Sequence, residues 1–280
     1  MSNALPSKTN SASPPSGMQS GNGKRIPQGR KARLRKIVSL VIHEGVTTVD
    51  WLAENLGVST MTVYRDVSEL VDQGMLTRSY GEVSAPSSSL VETSSKLRLG
   101  QNNSLKDRIA AAALTYVHPG DAVMLDDSTT SAHLIPGLRD LAPVTVATNA
   151  RFIEEGLIGD PHISLIHLGG DYHNWADAYF GPMTVRNIQG LGIDVCLMSV
   201  TAIAGGYCYH PDSIVAETKR AMIESSARNI LMVDHTKFTR TGLHKFAPVS
   251  AFSAIITDAQ TPQAELDKLR EVGVDVVIVD

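Results

Sequence analysis

The segment 55–76, NLGVSTMTVYRDVSELVDQGML, decides how the first part of the chain folds. Ser59 is a good N-cap residue, because its hydroxyl can accept a hydrogen bond from an unpaired amide of the first helical turn. The pattern predicts a short amphipathic helix whose polar face points either into solvent or into a groove of DNA. The apolar residues follow at i, i+4, i+7 and i+8, the spacing of one buried helical stripe: Val63, Val67, Leu70 and Val71.

Two helical patterns precede this segment. The first covers residues 33–43, and the second begins at Thr48 or Asp50 and ends at Gly57. Glycine suits the left-handed backbone position that commonly follows a helix. Only about three residues then separate the second helix from the third, which predicts a helix-turn-helix unit at about 46–65.

A small hairpin pattern follows the third helix at 75–83, MLTRSYGEV, and predicts a β-wing. We therefore predict a winged helix-turn-helix domain over 29–83, preceded by a disordered leader over 1–28 that is rich in Ser, Pro, Gly and Asn. In such modules the start of the recognition helix reaches base edges in the major groove. The candidate DNA-binding residues are Arg33, Ser59, Thr60, Thr62, Tyr64, Arg65 and Arg78.

Charge divides the chain into two parts. Residues 1–80 hold ten Lys or Arg against six Asp or Glu, whereas the remainder holds fifteen against twenty-three. Seven of the basic residues fall within 24–36, KRIPQGRKARLRK, which contains no acid. Such a run suits a phosphate backbone, and a disordered basic tail is the alternative.

Composition argues against several other classes of protein. No apolar run approaches the roughly 20 residues that a membrane-spanning helix needs, and the polar N-terminus lacks the apolar core of a secretory signal. Two cysteines cannot form a disulfide framework, and Cys196 in DVCLMSV is expected to be a small buried apolar residue. The nine histidines show no metal-binding spacing. We expect a cytoplasmic protein without membrane contact, metal or cofactor.

From residue 104 the pattern alternates between helices and short, nearly unbroken apolar strands. Such strands are typical of a parallel sheet that helices cover on both faces. We predict a linker over 84–103 and a doubly wound, mostly parallel α/β domain over 104–280. The predicted strands are AVML at 122–125, VTVAT at 144–148, ISLIHL at 163–168, VCLMSV at 195–200, ILMVD at 230–234, AIITD at 254–258 and VDVVIVD at 274–280.

Ligands of such folds bind beyond the carboxyl ends of the strands. The segment 128–130, Ser-Thr-Thr, offers amides and hydroxyls to a phosphate, with Lys219 and Lys237 as opposing cations. The structural alternatives are an ordinary N-cap, a tight Gly-Gly turn and a surface ion pair of Asp234 with Lys237. Taken together, the strand ends predict a site for a small polyhydroxylated, phosphorylated ligand. The candidate effector-binding residues are Asp126, Ser128, Thr129, Thr130, Thr148, Asn149, Gly169, Gly170, Asp171, Lys219, Asp234 and Lys237.

Six motifs follow one another in order along the chain: VSTMTVYRDVSELVDQGMLTR at 58–78, GDAVMLDDSTTS at 120–131, VTVATNARF at 144–152, LGGDY at 168–172, AETKRAM at 216–222 and ILMVDHTKF at 230–238. Together they resemble the DeoR-type bacterial transcriptional regulators, over about residues 33 to 257. The resemblance implies a repressor, or less often an activator, of a carbohydrate-utilisation operon. It further implies a double-stranded DNA operator, a homo-oligomer (dimer or tetramer), and a C-terminal domain that is similar to sugar-phosphate isomerases and binds a sugar phosphate as effector.

The chain departs from that family pattern at three positions. Tyr64 replaces the first of two adjacent arginines in the recognition helix, and Glu82 introduces a negative charge into a wing that usually ends His-Gly-Gly-Ala. Ser128 replaces the glycine of the Asp-x-Gly-Thr-Thr phosphate loop, which restricts close approach of the backbone to a phosphate. These departures predict a distinct operator preference and an altered phosphate loop.

Two other functions are compatible with the residues. A sugar-phosphate isomerase or transferase with a DNA-binding appendage could use Asp126, Asp234 or the two lysines as acids and bases, but no nucleophile stands at a recognisable spacing from a partner base. Alternatively, the α/β domain only oligomerises and senses no ligand. The sequence predicts a DNA-binding regulator controlled by a phosphorylated sugar, and not an enzyme.

Overall fold

The computed structural model describes residues 29–44, 46–73, 75–79, 81–85, 92 and 94–280. The predicted leader over 1–28 lies outside these residues, as do Gly45 and Gly74, which follow the first and third predicted helices. In the described part of the chain, no helix is both long enough and apolar enough to cross a membrane.

The N-terminal residues form three helices and a small antiparallel sheet. The Trp51 amide donates to Thr48 Oγ1 at 3.2 Å, and Gly57 ends the second helix at φ 66°. The Thr62 amide donates to Ser59 Oγ at 3.3 Å, so the predicted helix starts are confirmed. The elements are α1 (Arg30–Glu44), β1 (Val46–Thr48), α2 (Val49–Leu56), α3 (Thr60–Asp72), β2 (Thr77–Ser79) and β3 (Glu82–Ser84).

The winged helix-turn-helix is confirmed, with one strand added to the predicted hairpin. The strand order is β1-β3-β2, so residues 46–48 extend the wing. Three residues are too few to show a strand alternation in sequence, which is why this strand was not predicted. Val71 packs only at the edge of the core. The buried core of the module includes Ile37, Val41, Leu52, Leu56, Val63, Val67 and Leu70.

The remaining residues form the α/β domain, and part of the predicted linker over 84–103 belongs to it. Three short 3-10 helices supplement its helices and strands. The elements are α4 (Ser95–Leu99), α5 (Asn103–Leu114), β4 (Ala122–Leu125), α6 (Ile135–Asp140), β5 (Val144–Thr148), α7 (Arg151–Leu157), β6 (Ile163–His167), β7 (Asp171–His173), β8 (Ala178–Phe180), α8 (Pro182–Gln189), β9 (Ile193–Met198), β10 (Ala202–Ala204), β11 (Tyr207–His210), α9 (Ser213–Glu224), β12 (Ser226–Met232), β13 (His244–Pro248), β14 (Ala254–Asp258), α10 (Gln263–Glu271) and β15 (Asp275–Val279).

Seven parallel strands form the central sheet in the order β15-β14-β12-β9-β4-β5-β6. Val123 packs with α5, α6 and α7 on one face, whereas Met124 and Cys196 pack with α8, α9 and α10 on the other. The doubly wound fold is therefore confirmed, and Cys196 is buried as predicted. The strand order reverses between β4 and β9, which leaves a crevice at their carboxyl ends.

Two small antiparallel sheets lie outside the predicted pattern. β7 pairs with β8, and β11 lies between β10 and β13. Their strands are only three to five residues long, so they give no distinct period in the sequence. They pack around the carboxyl edge of the large sheet, and β11 supplies His210 to the site described next.

Candidate functional site

A cavity lies at the carboxyl ends of β4, β9 and β12, beside the reversal of strand order. The empty space within it, counted together with its open mouth, is about 630 Å³. The order of the strands therefore determines where the cavity lies. The residues after these strands that line it are Asp127, Ser128, Thr129, Thr130, Ser199, Val200, Thr201, Asp234 and Lys237.

A buried ion cluster forms the base of the cavity. Lys219 Nζ on α9 lies 2.5 Å from Asp126 Oδ2 and 3.1 Å from Asp127 Oδ1. Burial alone lowers the pKa of Lys219, but the two carboxylates outweigh burial and raise it. Burial alone raises the pKa of Asp127, but Lys219 outweighs burial and holds it below its usual value. Lys219 and Asp127 are therefore both charged at neutral pH.

Asp126 supports the loop that follows β4. Its Oδ1 accepts hydrogen bonds from the Ser128 amide at 3.1 Å and the Ser131 hydroxyl at 2.6 Å. Its Oδ2 accepts from the Ser199 amide at 3.0 Å as well as from Lys219. The carboxylate is fully buried and does not line the cavity, which corrects the prediction that Asp126 contacts the ligand.

The loop at Thr129 and Thr130 leaves donors available at the cavity. Ser128 Oγ accepts from the Ser131 amide at 3.2 Å and closes the turn. Among the described residues, the amides of Thr129 and Thr130 donate to no protein acceptor. Unpaired amides in such a turn are suited to binding an oxyanion.

Basic side chains outnumber acidic ones in the lining. Burial lowers the pKa of Lys106 to about 8, and Arg98 and Lys237 act in the same direction. Burial also lowers the pKa of Lys237. An anion would relieve this crowding of positive charge. The lining contains five basic side chains, Arg98, Lys106, Lys219, Lys237 and Arg240, and three carboxylates, Glu92, Asp127 and Asp234.

Glu92 reaches the cavity from the segment between β3 and α4. Its side chain is only 4% exposed, and its carboxylate accepts a hydrogen bond from the Thr201 hydroxyl. Arg98 Nε lies 4.0 Å from the other carboxylate oxygen. Burial alone raises the pKa of Glu92, but Arg98 and Lys237 lower it to about 2. Glu92 is therefore a buried, ionised carboxylate among cations.

His210 at the end of β11 completes the wall. Burial lowers its pKa to about 4, so the ring is neutral at pH 7. The Trp175 ring stacks beside it with 6.3 Å between the ring centroids. A neutral imidazole adds a polar group to the cavity without adding charge.

The structure brings together half of the predicted effector residues. Asp234 also accepts a hydrogen bond from the Thr236 amide at 2.9 Å and so caps the short 3-10 helix that follows. The predicted residues that line the cavity are Ser128, Thr129, Thr130, Lys219, Asp234 and Lys237.

The residues after β5 hold backbone rather than a ligand. Thr148 Oγ1 accepts from the Ala150 amide at 3.1 Å, and Asn149 Nδ2 donates to the Tyr179 carbonyl at 2.8 Å. Neither Thr148 nor Asn149 lines the cavity. The prediction for both is corrected, because β5 lies on the far side of β4 from β9.

The residues after β6 are likewise outside the cavity. Gly170 has φ 120°, and a Cβ there would lie 2.0 Å from Thr184 Oγ1, so Gly169 and Gly170 form the tight turn that was the alternative explanation. Asp171 is exposed at the start of β7. β6 is the edge strand of the sheet, too far along it to share the crevice.

Several cavity residues were missed. Asp127 and Thr201 follow predicted strands, and Ser199 and Val200 end one, so the strand-end rule could have included them. The others come from the supposed linker, from α5, from β11 and from the loop after β12, where no local pattern marks them. The missed residues are Glu92, Arg98, Gln101, Asn102, Lys106, Asp127, Ser199, Val200, Thr201, His210 and Arg240.

The start of α3 and the wing form a second exposed surface. Tyr64 is 47% exposed, and the Arg78 guanidinium lies 4.4 Å from the centroid of its ring. This cation–π contact joins the recognition helix to the wing. Ser59, Thr60 and Arg65 are exposed on the same helix, and Thr62 is partly exposed.

Arg33 is partly buried and pairs with a buried acid of α3. Its Nε donates to Asp66 Oδ2 at 2.5 Å, and the Asp66 side chain is only 2% exposed. A buried carboxylate needs such a partner, so Arg33 ties α1 to α3. The DNA contact of Arg33 stays a prediction, beside this structural role.

Comparisons with known proteins match both domains of the chain. Residues 33–89 match the model of the DeoR-like helix-turn-helix domain, and residues 101–259 match that of the DeoR C terminal sensor domain. The structure of a ribose 5-phosphate isomerase A from Methanocaldococcus jannaschii aligns with 49% of this chain and 55% of its own chain, at 14% identity and a TM-score of 0.37.

Similar regulators cover most of the chain. The L-fucose operon activator of Haemophilus influenzae is 30% identical over 81% of this chain and 91% of its own length. The glycerol-3-phosphate regulon repressor of Escherichia coli K12 is 28% identical over 84% and 93%. A candidate aga operon transcriptional repressor of Escherichia coli O157:H7 is 29% identical over 92% and 97%. This chain belongs to the DeoR family of transcriptional regulators.

Proposed function

We propose that the cavity binds a phosphorylated sugar and that its occupancy controls binding of an operator by the winged module, as a repressor of a carbohydrate-utilisation operon. The observation that carries this proposal is the excess of basic side chains beside the unpaired amides of Thr129 and Thr130. A phosphate dianion matches both features, because charged donors and free amides bind oxyanions strongly.

The acidic residues of the cavity suit the sugar. Asp127 and Asp234 line it and can accept hydrogen bonds from hydroxyl groups. The names of the similar regulators support a carbohydrate ligand, since they refer to an L-fucose operon, an aga operon and a glycerol-3-phosphate regulon.

Duplex DNA is the proposed partner of α3 and the wing. Arg65 would contact a base or phosphate, and Arg78 a phosphate, with the Tyr64 ring under its guanidinium. A homo-oligomer, either a dimer or a tetramer, would present two recognition helices about 34 Å apart, one turn of DNA. Ligand binding would change the spacing or orientation of the two helices.

Regulation fits the buried cluster better than catalysis does. Both Asp126 carboxylate oxygens are occupied by donors, so this residue has no free position from which to accept a substrate proton. The raised pKa of Lys219 keeps it protonated and therefore unable to act as a base. A turnover assay with pentose and hexose phosphates tests this point, and conversion that Asp127→Asn abolishes would instead establish an enzyme.

A thermal-shift screen tests the ligand. Phosphorylated sugars should raise the melting temperature and their parent sugars should not, and saturation at 100 times Kd corresponds to about 2.7 kcal/mol of stabilisation. Lys237→Gln should weaken the effect, whereas the surface variant Lys268→Gln should retain it. A screen in which no phosphorylated sugar stabilises the chain would refute the proposed ligand.

A gel-shift assay with DNA from upstream of the regulated genes tests the operator. Arg65→Ala should lower the affinity, and wild-type affinity should fall steeply as salt rises, because each phosphate contact releases a counterion. Affinity for DNA that neither Arg65→Ala nor salt alters would contradict the proposed docking.

A further inference from the structure

Glu92 is an unexpected residue to find in an anion site. It belongs to a stretch predicted as a polar linker, yet its carboxylate is almost completely buried inside the cavity. A buried carboxylate is strongly unfavourable unless donors and cations compensate for its lost hydration. The groups around Glu92 therefore form an oxyanion-binding subsite.

Three residues make up this subsite. The Thr201 hydroxyl donates to one carboxylate oxygen, and Arg98 Nε lies 4.0 Å from the other. Lys237 lines the same cavity and adds a second positive charge, which helps to lower the pKa of Glu92. A hydroxyl with two cations is a common arrangement for binding a phosphate group, and a carboxylate satisfies the same donors.

We propose that the Glu92 carboxylate occupies the subsite of Thr201, Arg98 and Lys237 as an internal counter-anion, and that the phosphate group of the ligand displaces it. This inference rests on the proposed function, because it concerns the same cavity. It adds the Thr201 hydroxyl, Arg98 and Lys237 to the amides of Thr129 and Thr130 as donors to the phosphate, and it identifies a competing group within the chain. The ligand class is a compact oxyanion, either a phosphate or a carboxylate.

Glu92 lies where its displacement would affect the connection between the two domains. β3 of the wing ends at Ser84 and α4 begins at Ser95, so Glu92 lies on the connection between the two domains. The Ser95 amide donates to the Trp175 carbonyl at 2.9 Å, and Asn174 Nδ2 donates to Glu44 Oε2 of α1 at 3.0 Å. Displacing Glu92 removes one anchor of this connection next to the contact with the winged module.

Isothermal titration of the full chain with inorganic phosphate is the first test. With an internal competitor, the apparent affinity for phosphate equals the affinity of the free subsite multiplied by the fraction of time for which the subsite is free. A subsite that is free a tenth of the time therefore binds phosphate about tenfold more weakly than one that is always free. Glu92→Gln should therefore bind phosphate at least about tenfold more tightly than the wild type. Glu265→Gln on α10, which makes the same change of charge outside the cavity, should match the wild type.

Carboxylate footprinting of the wild type tests displacement itself. Sulfate, which does not react with carbodiimide, serves as the probe oxyanion, and mass spectrometry follows labelling of Glu92. The carboxylate should be protected in the free protein and labelled at saturating sulfate, while labelling of the partly exposed Glu265 stays constant. This measurement needs no variant, so it decides the matter even where Glu92→Gln folds poorly.

The outcomes separate the two proposals. Tighter binding by Glu92→Gln together with exposure of Glu92 supports the exchange. Phosphate and sulfate binding that leaves Glu92 protected, or equal affinity of the wild type and a folded Glu92→Gln, overturns the exchange and leaves the cavity as a ligand site. Failure of every oxyanion and sugar phosphate to bind either protein overturns both proposals.

Discussion

Replacing Lys219 with methionine would leave the base of the cavity with two buried carboxylates and no cation between them. Lys219 is 3% exposed, and the two carboxylates that it joins, Asp126 and Asp127, are 0% and 3% exposed. Breaking such a buried pair by removing one partner costs about 3–5 kcal/mol, because the remaining charge loses its compensation. Methionine has a similar volume, so little of the loss would come from a cavity.

That loss is large compared with the stability of a typical domain, about 5–15 kcal/mol. For a domain of this size each kcal/mol lowers the melting temperature by about 2–4 °C, so we expect a fall of about 6–20 °C. Lys268→Met is the matched control, because the Lys268 side chain is 62% exposed beside Glu265 and its loss should change the free energy of unfolding by less than about 0.5 kcal/mol.

The pH dependence of stability should also change sign. In the wild type the pKa of Asp127 is lowered in the folded state, so its contribution is present above its unfolded value of about 4 and is lost as the pH falls. The pKa of Lys219 is raised, so its contribution is complete below about pH 10 and is lost as the pH rises beyond that. Without Lys219, burial dominates and raises the pKa of Asp127, so the variant should become more stable as the pH falls from 7 to 5.

Urea denaturation followed by circular dichroism at pH 5, 6 and 7 measures both effects. Adding Asp127→Asn to Lys219→Met should recover part of the lost stability, because one uncompensated charge is removed. A loss below about 1 kcal/mol at pH 7, or a variant whose stability falls with pH in parallel with the wild type, would refute this account of the cluster.

Three further changes test other parts of the molecule. Ser59→Ala removes the N-cap of α3 and should destabilise the winged module by about 1 kcal/mol in thermal denaturation. An unchanged melting temperature would mean that the cap does not contribute to stability. Tyr64→Phe keeps the ring under Arg78 and should retain operator affinity, whereas Tyr64→Ala should lower that affinity by about twofold to fivefold in a gel shift. Equal affinities of Tyr64→Ala and the wild type would mean that this contact does not contribute to DNA binding. Gly170→Ala places a Cβ 2.0 Å from Thr184 Oγ1 and should cost more than about 1 kcal/mol of stability. The Kd for inorganic phosphate should stay unchanged. A changed Kd would mean that this turn reaches the cavity.

The architecture could be predicted from local patterns in the sequence. The caps at Thr48 and Ser59, the glycine after α2 and the apolar stripe of α3 involve residues within a few positions of one another, so their spacing alone identifies the helices. The strands of the large sheet are long enough to be recognised as unbroken apolar runs. The short strands of the wing and the small sheets are not, and only pairing with remote partners makes them strands.

The sequence by itself determined the two domains, their order, and the strand ends from which part of the site is built. Only the tertiary structure decided which residues share the cavity. Lys219 meets Asp126 across 93 positions of sequence, and Thr201 meets Glu92 across 109. Such contacts depend on the strand order and on the path of the chain between domains, and neither leaves a periodic signal. For that reason an acid in a polar linker gave no sign that it would lie among the cations of the site.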